Sequence, residues 1–232
     1  LTTIQILSRY KHRQELKWIE EFIPRMEMAF NLVSGDEEEI IGYEENPDLE
    51  GRQHLGNLFN LILKRKVVEL EYRPYDKEKE ISFIHPYYLK QYNSRWFLFC
   101  FNEKYDAISI YPLDRIVSYS ETGKAYIPSK ISWVDYFEDI IGVTKPAEIS
   151  PVDIKLRFAR ERIKYVLTKP LHGTQKLDRK DEEQRTLIIN VIPNFELYQS
   201  LLSFGSDIEV IETKFVRDKM RNYAFELNLI YE

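Results

Sequence analysis

The sequence predicts an α+β protein with two small folded domains behind a helical lead-in, and three observations predict it. Residues 67–119 carry apolar side chains at a period of two, broken by short polar turns, which is the pattern of half-buried strands. After a proline-bearing connector, Pro146 to Pro151, the periods run strand, helix, strand, strand, helix, strand and a final helix. Residues 3–33 place apolar positions at helical spacing ahead of both.

Taken in order, Ile4, Leu7, Leu16, Ile19, Phe22 and Ile23 mark the lead-in, and Pro24 starts a second helix or kinks the first. Residues 34–54 hold eight acids against Arg52 alone and include Gly35, Gly42, Pro47 and Gly51, so they read as an acidic linker closing a first segment, 1–54. A short helix is expected from Leu55 to about Lys66, with Leu55, Leu58, Phe59 and Ile62 on one side. Five strands follow: Val68 to Tyr72, Ile81 to Lys90, Arg95 to Phe101, Ala107 to Tyr111 and Ile116 to Tyr119, with turns at Tyr92-Asn93-Ser94 and Asn102-Glu103-Lys104. Short strands this close together suggest a small barrel over 55–128, and Trp96 to Phe101, apolar on both faces, suits a central strand.

A helix around Trp133 to Ile141 stops at Gly142 and occupies a connector, 129–150. In residues 151–232 the expected elements are a strand (Val152 to Phe158), a helix (Ala159 to Thr168), two strands (about Thr174 to Arg179, and Thr186 to Ile192), a helix (Phe195 to Phe204), a strand (Asp207 to Ile211) and a helix from Lys214 to about Ala224. The βαββαβ order suits a ferredoxin-like sandwich, and Gly205 falls where a helix end needs a left-handed residue.

The chain has 232 residues, 44% of them apolar and 14% aromatic, enough for one or two cores. No apolar run approaches the roughly 20 residues of a membrane-spanning helix, so a membrane partner is not expected. Cys100 is the lone cysteine, which suits a reducing cytoplasm. The chain starts at Leu1 with little capping sequence and reads as a fragment. There is no GxxxxGK[ST] loop, the eight glycines are scattered, and His12, His54, His85 and His172 lie far apart. No nucleotide hydrolysis, metal or other cofactor is therefore expected, and the chain is not read as an enzyme. Net charge is −5, yet residues 64–130 hold 12 Lys and Arg against 9 Asp and Glu, so the middle of the chain is able to hold an anion.

The residues that carry a signal are Tyr72, then His85-Pro86-Tyr87-Tyr88-Leu89, then Arg95-Trp96-Phe97-Leu98, then Leu113-Asp114-Arg115-Ile116. This order resembles the WYL domain, with Trp96-Phe97-Leu98 in the place of the name-giving Trp-Tyr-Leu, over about residues 55–128. Residues 151–232, with Leu201-Leu202-Ser203-Phe204-Gly205 and Ile208-Glu209-Val210-Ile211, resemble the C-terminal extension that commonly follows it. The resemblance implies an Sm-like (SH3-like) barrel that binds a small or polymeric effector, in some members single-stranded nucleic acid. It implies a bacterial transcription regulator that meets operator DNA through a helix-turn-helix upstream of this fragment, and a C-terminal domain with a free sheet edge suits a homodimer that matches a two-fold operator.

Aromatic faces beside cations offer stacking for bases and charge for phosphates. The expected ligand-facing set is Tyr72, His85, Tyr88, Arg95, Ser109 and Arg115. Ser109 stands six residues before the arginine of Asp-Arg-Ile, where many members of that family carry a basic residue. Other readings remain open: Arg115 as a partner for Asp114, His85 as a cap of the barrel, and Tyr72 and Tyr88 as core residues with wet hydroxyls. The same chain also reads as a protein–protein interaction module without an effector.

Overall fold

A computed structural model describes residues 50–147, 149–181 and 183–232. The expected helices over 3–33 and most of the acidic linker lie outside the described residues. The chain divides into two compact units, Leu1–Ser129 and Lys130–Glu232.

In the first unit, helix α1 (Leu55–Leu63) turns Leu55 and Leu58 inward, with Leu61 and Ile62 packed beside them. Strand β1 (Val68–Tyr72) buries Val68, Leu70 and Tyr72 and leaves Glu69 and Glu71 half-buried, as alternation requires. It pairs antiparallel with β2 (Glu80–Tyr92) and with β5 (Ile116–Glu121). β2 pairs with β3 (Arg95–Asn102), and β3 with β4 (Ala107–Pro112), giving the order β4-β3-β2-β1-β5. Asn93 and Ser94 both have positive φ, the backbone of a tight two-residue hairpin turn. Leu98, Phe99 and Cys100 are buried in succession, so β3 is covered on both faces.

The expected cylinder appears as a five-stranded antiparallel sheet in which β4 and β5 are the edges, with no ladder between them among the described residues. Pro112 ends β4 without an N–H to donate, and the chain then leaves the ladder through a 3-10 turn, Leu113–Arg115. β2 starts one residue before and ends two after the expected Ile81 to Lys90, and a bulge between Pro86 and Tyr88 takes up the missing proline donor within it.

The second unit opens with α2 (Trp133–Glu138), three residues shorter than expected, and Gly142 follows at φ 83. Next come β6 (Val152–Phe158), α3 (Arg160–Thr168), β7 (Lys176–Leu177), β8 (Thr186–Val191), α4 (Phe195–Leu202), β9 (Ile208–Val210) and α5 (Lys214–Tyr231). The four strands lie in the order β7-β8-β6-β9, every neighbour antiparallel. Ile154, Leu156 and Phe158 of β6 and Leu187, Ile189 and Val191 of β8 form the core with Ile163, Val166, Leu197, Leu201 and Val216 from the three long helices. β7 is cut to two residues because local bonds compete for its ends: Thr174 bonds to His172 and to the Asn190 carbonyl, and Asp178 accepts the Lys180 N–H. α5 runs seven residues past the expected Ala224, since no Gly or Pro interrupts it.

Two side chains close the connector onto α4. Asn194 caps α4 by accepting from Leu197 N–H while its amide donates to the Ile141 and Thr144 carbonyls. The buried carboxylate of Glu196 accepts from Val143 N–H, Thr144 N–H and the Thr144 hydroxyl. Gly142 passes so close to Glu196 that an added Cβ would meet its side chain at 2.6 Å.

Candidate ligand groove

A groove of about 380 Å³ in the first unit is lined by Arg73, Pro74, Tyr75 and Asp76 from the turn after β1, and by Asp114, Arg115, Ile116 and Val117 at the start of β5. The two segments are held together by the β1–β5 ladder, which pairs Tyr72 with Ile116, and by the bond from Arg73 N–H to the Arg115 carbonyl, 3.1 Å. A bulge falls between Glu71 and Tyr72, the kind of irregularity that re-aims side chains at a sheet's rim.

Of the expected residues only Arg115 lines the groove, and Tyr72 and Arg95 stand beside it, in contact with its lining. The Arg115 guanidinium lies 4.1 Å from the ring centre of Tyr75 and 5.6 Å from that of Tyr72. Its Nε is buried and has no hydrogen-bond partner among the described residues. Arg95 reaches in from the start of β3 and donates to Asp114 Oδ2 at 2.9 Å and to the Tyr75 hydroxyl at 3.2 Å. Asp114 therefore neutralises Arg95 rather than its chain neighbour Arg115. The Tyr72 ring is buried edge-on to Tyr111, 4.6 Å between centres, and burial raises its phenol above the usual tyrosine range. Tyr111 is pushed up to about 12 for the same reason, and its oxygen accepts from the Asn102 amide. Both phenols stay neutral at physiological pH, so charge in the groove comes from the arginines and the two aspartates.

The other three lie elsewhere. His85 is fully buried: Nδ1 accepts from Ile127 N–H at 3.0 Å, which leaves Nε2 to donate to Glu103 at 3.2 Å. Tyr126 donates to the Pro86 carbonyl and Tyr87 to the Ile127 carbonyl, so His85 belongs to a fastening that ties residues 126–127 onto β2. The Lys124 ammonium bonded to Glu103 holds that carboxyl below its ordinary range. Tyr88 meets Phe99 edge-on across the β2–β3 ladder, and Ser109 sits half-buried opposite Cys100 on β4. None of the three lines the groove.

Sequence reasoning missed Tyr75, named Arg73 only as one of several substitute cations, and left the pairing of Asp114 with Arg115 open where the structure pairs Asp114 with Arg95. The available signal was Arg73-Pro74-Tyr75-Asp76, a turn that exposes an aromatic beside a cation. Gly51 was missed as well. At φ 87 it packs against the turn that carries Arg115, and a Cβ there would stand 2.3 Å from the Leu113 carbonyl carbon and the Asp114 nitrogen.

Residues 53–120, which contain every groove-lining side chain, match the WYL domain, and residues 150–227 match the WCX domain. Together the matches span well over half of the chain. The chain belongs to the WYL-domain family. The groove thus lies wholly inside the WYL domain, and the four-stranded sheet belongs to the WCX domain. Two solved structures are similar to the chain. One is proteasome accessory factor B/C (PafBC) of Arthrobacter aurescens, at 16% identity and TM-score 0.34, over 77% of this chain and 27% of that one. The other is a CRISPR Cas-related protein, at 14% identity and TM-score 0.46, over 78% of this chain and 52% of that one. The chain thus spans about a quarter of the first and about half of the second. No curated protein matches it.

Among the described residues no helix is long and apolar enough to cross a membrane. Nor do three or more His, Cys, Asp or Glu side chains gather there in a way that suits a metal ion.

Proposed function

We propose that this chain is the effector-sensing and assembly part of a bacterial transcription regulator, and that the groove of its WYL domain takes a nucleic-acid or nucleotide-like ligand. The observation that carries the reading is Arg115. Its guanidinium is stacked on Tyr75, its Nε is buried without a partner, and Asp114 beside it gives Oδ2 to Arg95 while its Oδ1 stays buried without a partner. A buried, unsatisfied donor on a fixed cation costs free energy that an incoming anion would recover. Tyr75, mostly exposed, adds a face on which a base stacks, and Arg73 adds a second cation at the rim.

The strand order β5-β1-β2-β3-β4 supports reading the first unit as an Sm-like barrel. The element order of the second, with strands in the order β7-β8-β6-β9, supports a ferredoxin-like sandwich. In this reading the protein is cytoplasmic, needs no cofactor and catalyses nothing. It pairs with a second copy and reaches operator DNA through a helix-turn-helix module ahead of these residues.

Titration of the chain with short single-stranded oligonucleotides and with cyclic nucleotides tests the sensing role. Binding that weakens as salt rises, and that Arg115→Ala and Tyr75→Ala each reduce at least about tenfold, is the expected result. Absence of binding to every probe, or binding that ignores both substitutions, overturns it.

A further inference from the structure

The proposed function brings a nucleotide-like ligand to the groove, and Asp114 bears on which part of that ligand meets Arg115. Arg115 Nε is a buried donor with no hydrogen-bond partner among the described residues, and Asp114 Oδ1 is a buried acceptor in the same condition. The two stand on adjacent residues of one 3-10 turn, Leu113–Arg115, and do not satisfy each other. Buried side-chain polar atoms are bonded in the large majority of cases. A bare donor beside a bare acceptor therefore suits a ligand edge that offers the complements, an acceptor beside a donor.

Both groups are held in place. Asp114 Oδ2 accepts from Arg95 at 2.9 Å, and Arg95 is tied in turn to the Tyr75 hydroxyl at 3.2 Å, which orients the carboxylate and leaves Oδ1 over. The Arg115 guanidinium rests 4.1 Å from the centre of the Tyr75 ring.

A bare phosphate does not answer this pair. At neutral pH a phosphodiester offers acceptors only, so it would meet Arg115 Nε while setting its own negative charge against the remaining oxygen of Asp114. The lining as a whole is formally neutral, Arg73 and Arg115 being matched by Asp76 and Asp114. The Watson–Crick edge of a nucleobase does answer the pair. Every base carries an acceptor next to a donor there, as thymine does with O4 and N3–H, and this is the edge by which splayed-out bases are read. Tyr75, 61% exposed, adds the aromatic face that such a flat group stacks on.

We infer that Arg115 Nε and Asp114 Oδ1 together read the Watson–Crick edge of an unpaired base, Arg115 donating to its acceptor and Asp114 accepting from its donor, while Arg73 at the rim is left to meet phosphate. The inference rests on the proposed sensing role and names the chemical group that the groove recognises. All four bases present such an edge, so recognition tolerates changes of sequence but not the loss of the base.

Fluorescence anisotropy with three short strands of equal length and charge is the test: oligothymidylate, the same strand methylated at thymine N3, and the same strand without bases. The methyl group removes the N3–H donor and keeps the ring and the phosphates. The chain is expected to bind oligothymidylate at least about tenfold more tightly than either of the others. Asp114→Asn, with folding checked by circular dichroism, turns its amide oxygen to Arg95 and puts an NH2 donor where the acceptor was. It should bind oligothymidylate about tenfold more weakly and the N3-methylated strand almost unchanged, a difference that a merely loosened groove would not produce. The comparison of strands on the parent chain decides the matter even where that variant does not fold. An N3-methylated strand that binds as well as oligothymidylate overturns the inference and leaves the sensing role standing. An Asp114→Asn chain that folds and weakens on both thymidylate strands alike overturns the part given to Asp114. Absence of binding to all three strands overturns the inference together with the sensing role.

Discussion

Arg115 lines the groove and Arg95 braces its lining from the side, so the two arginines do different work. Arg95 is fixed by Asp114 and by the Tyr75 hydroxyl, whereas Arg115 offers a flat cation to Tyr75 on one side and an unmet N–H on the other. A lysine at 115 keeps the charge but loses the planar face and the Nε donor. Arg115→Lys is therefore expected to bind an oligonucleotide more weakly than the parent and more tightly than Arg115→Ala, as fluorescence anisotropy would show; equal affinity of the lysine variant and the parent would contradict the stacked role. His85 is a different kind of residue. His85→Ala orphans the Ile127 N–H and removes a fully buried ring, at a cost of about 1–3 kcal/mol for the lost bond and more for the cavity. Amide hydrogen exchange should quicken around residues 126–127, while affinity for a groove ligand changes little. The adjacency that drew attention to His85 in the sequence, beside Pro86-Tyr87-Tyr88, is real in the chain and irrelevant to the groove, because the histidine points into a fastening that closes only forty residues later.

Among the elements, the clamp on α4 is where stability concentrates in the fewest atoms. Asn194→Ala loses a helix cap and two donations to the connector, so a loss of about 1–3 kcal/mol is expected in denaturant unfolding, with the extra exchange confined to residues 141–144 and the first turn of α4. A loss below about 0.5 kcal/mol would show the connector to be held by other means. Strands and helices were largely legible in the sequence because burial imposes a period: β1 alternates as written, and Leu98 to Cys100 are apolar in succession because both faces are covered. Their lengths were less so. Pro86 falls inside the expected strand and a bulge accommodates it there, whereas Thr174 and Asp178 read as strand residues, yet local bonds claim them. The groove was half legible. Tyr72, Arg95 and Arg115 come from a recognisable motif, whereas Tyr75 and the choice of Asp114 as partner to Arg95 depend on how far one turn leans toward another, which no local pattern records.

For the molecule as a whole, two histidines set the response to acid. Burial lowers the pKa of His172 in the second unit and of His54 in the first below the ordinary value. The unfolded chain therefore takes up these protons at a higher pH than the folded one, so stability is full above about pH 6.5 and falls as pH drops from there toward the lower folded values. Urea unfolding at pH 7.5 and 5.5 should show this loss, and His172→Gln should flatten the part that belongs to the second unit; a stability that rises on acidification across that window would contradict it. The period changes from helix to strand at Val67 and again after Pro151 are written in the sequence, but the close approach of Gly51 is not, since a glycine in an acidic linker looks like slack. It is the opposite of slack. With no side chain between them, the backbone at residue 51 bears directly on the peptide joining Leu113 to Asp114. Gly51→Ala would therefore displace the shelf beneath Arg115, and in the proposed sensing role a ligand that moved that shelf would have to move the backbone at residue 51 with it.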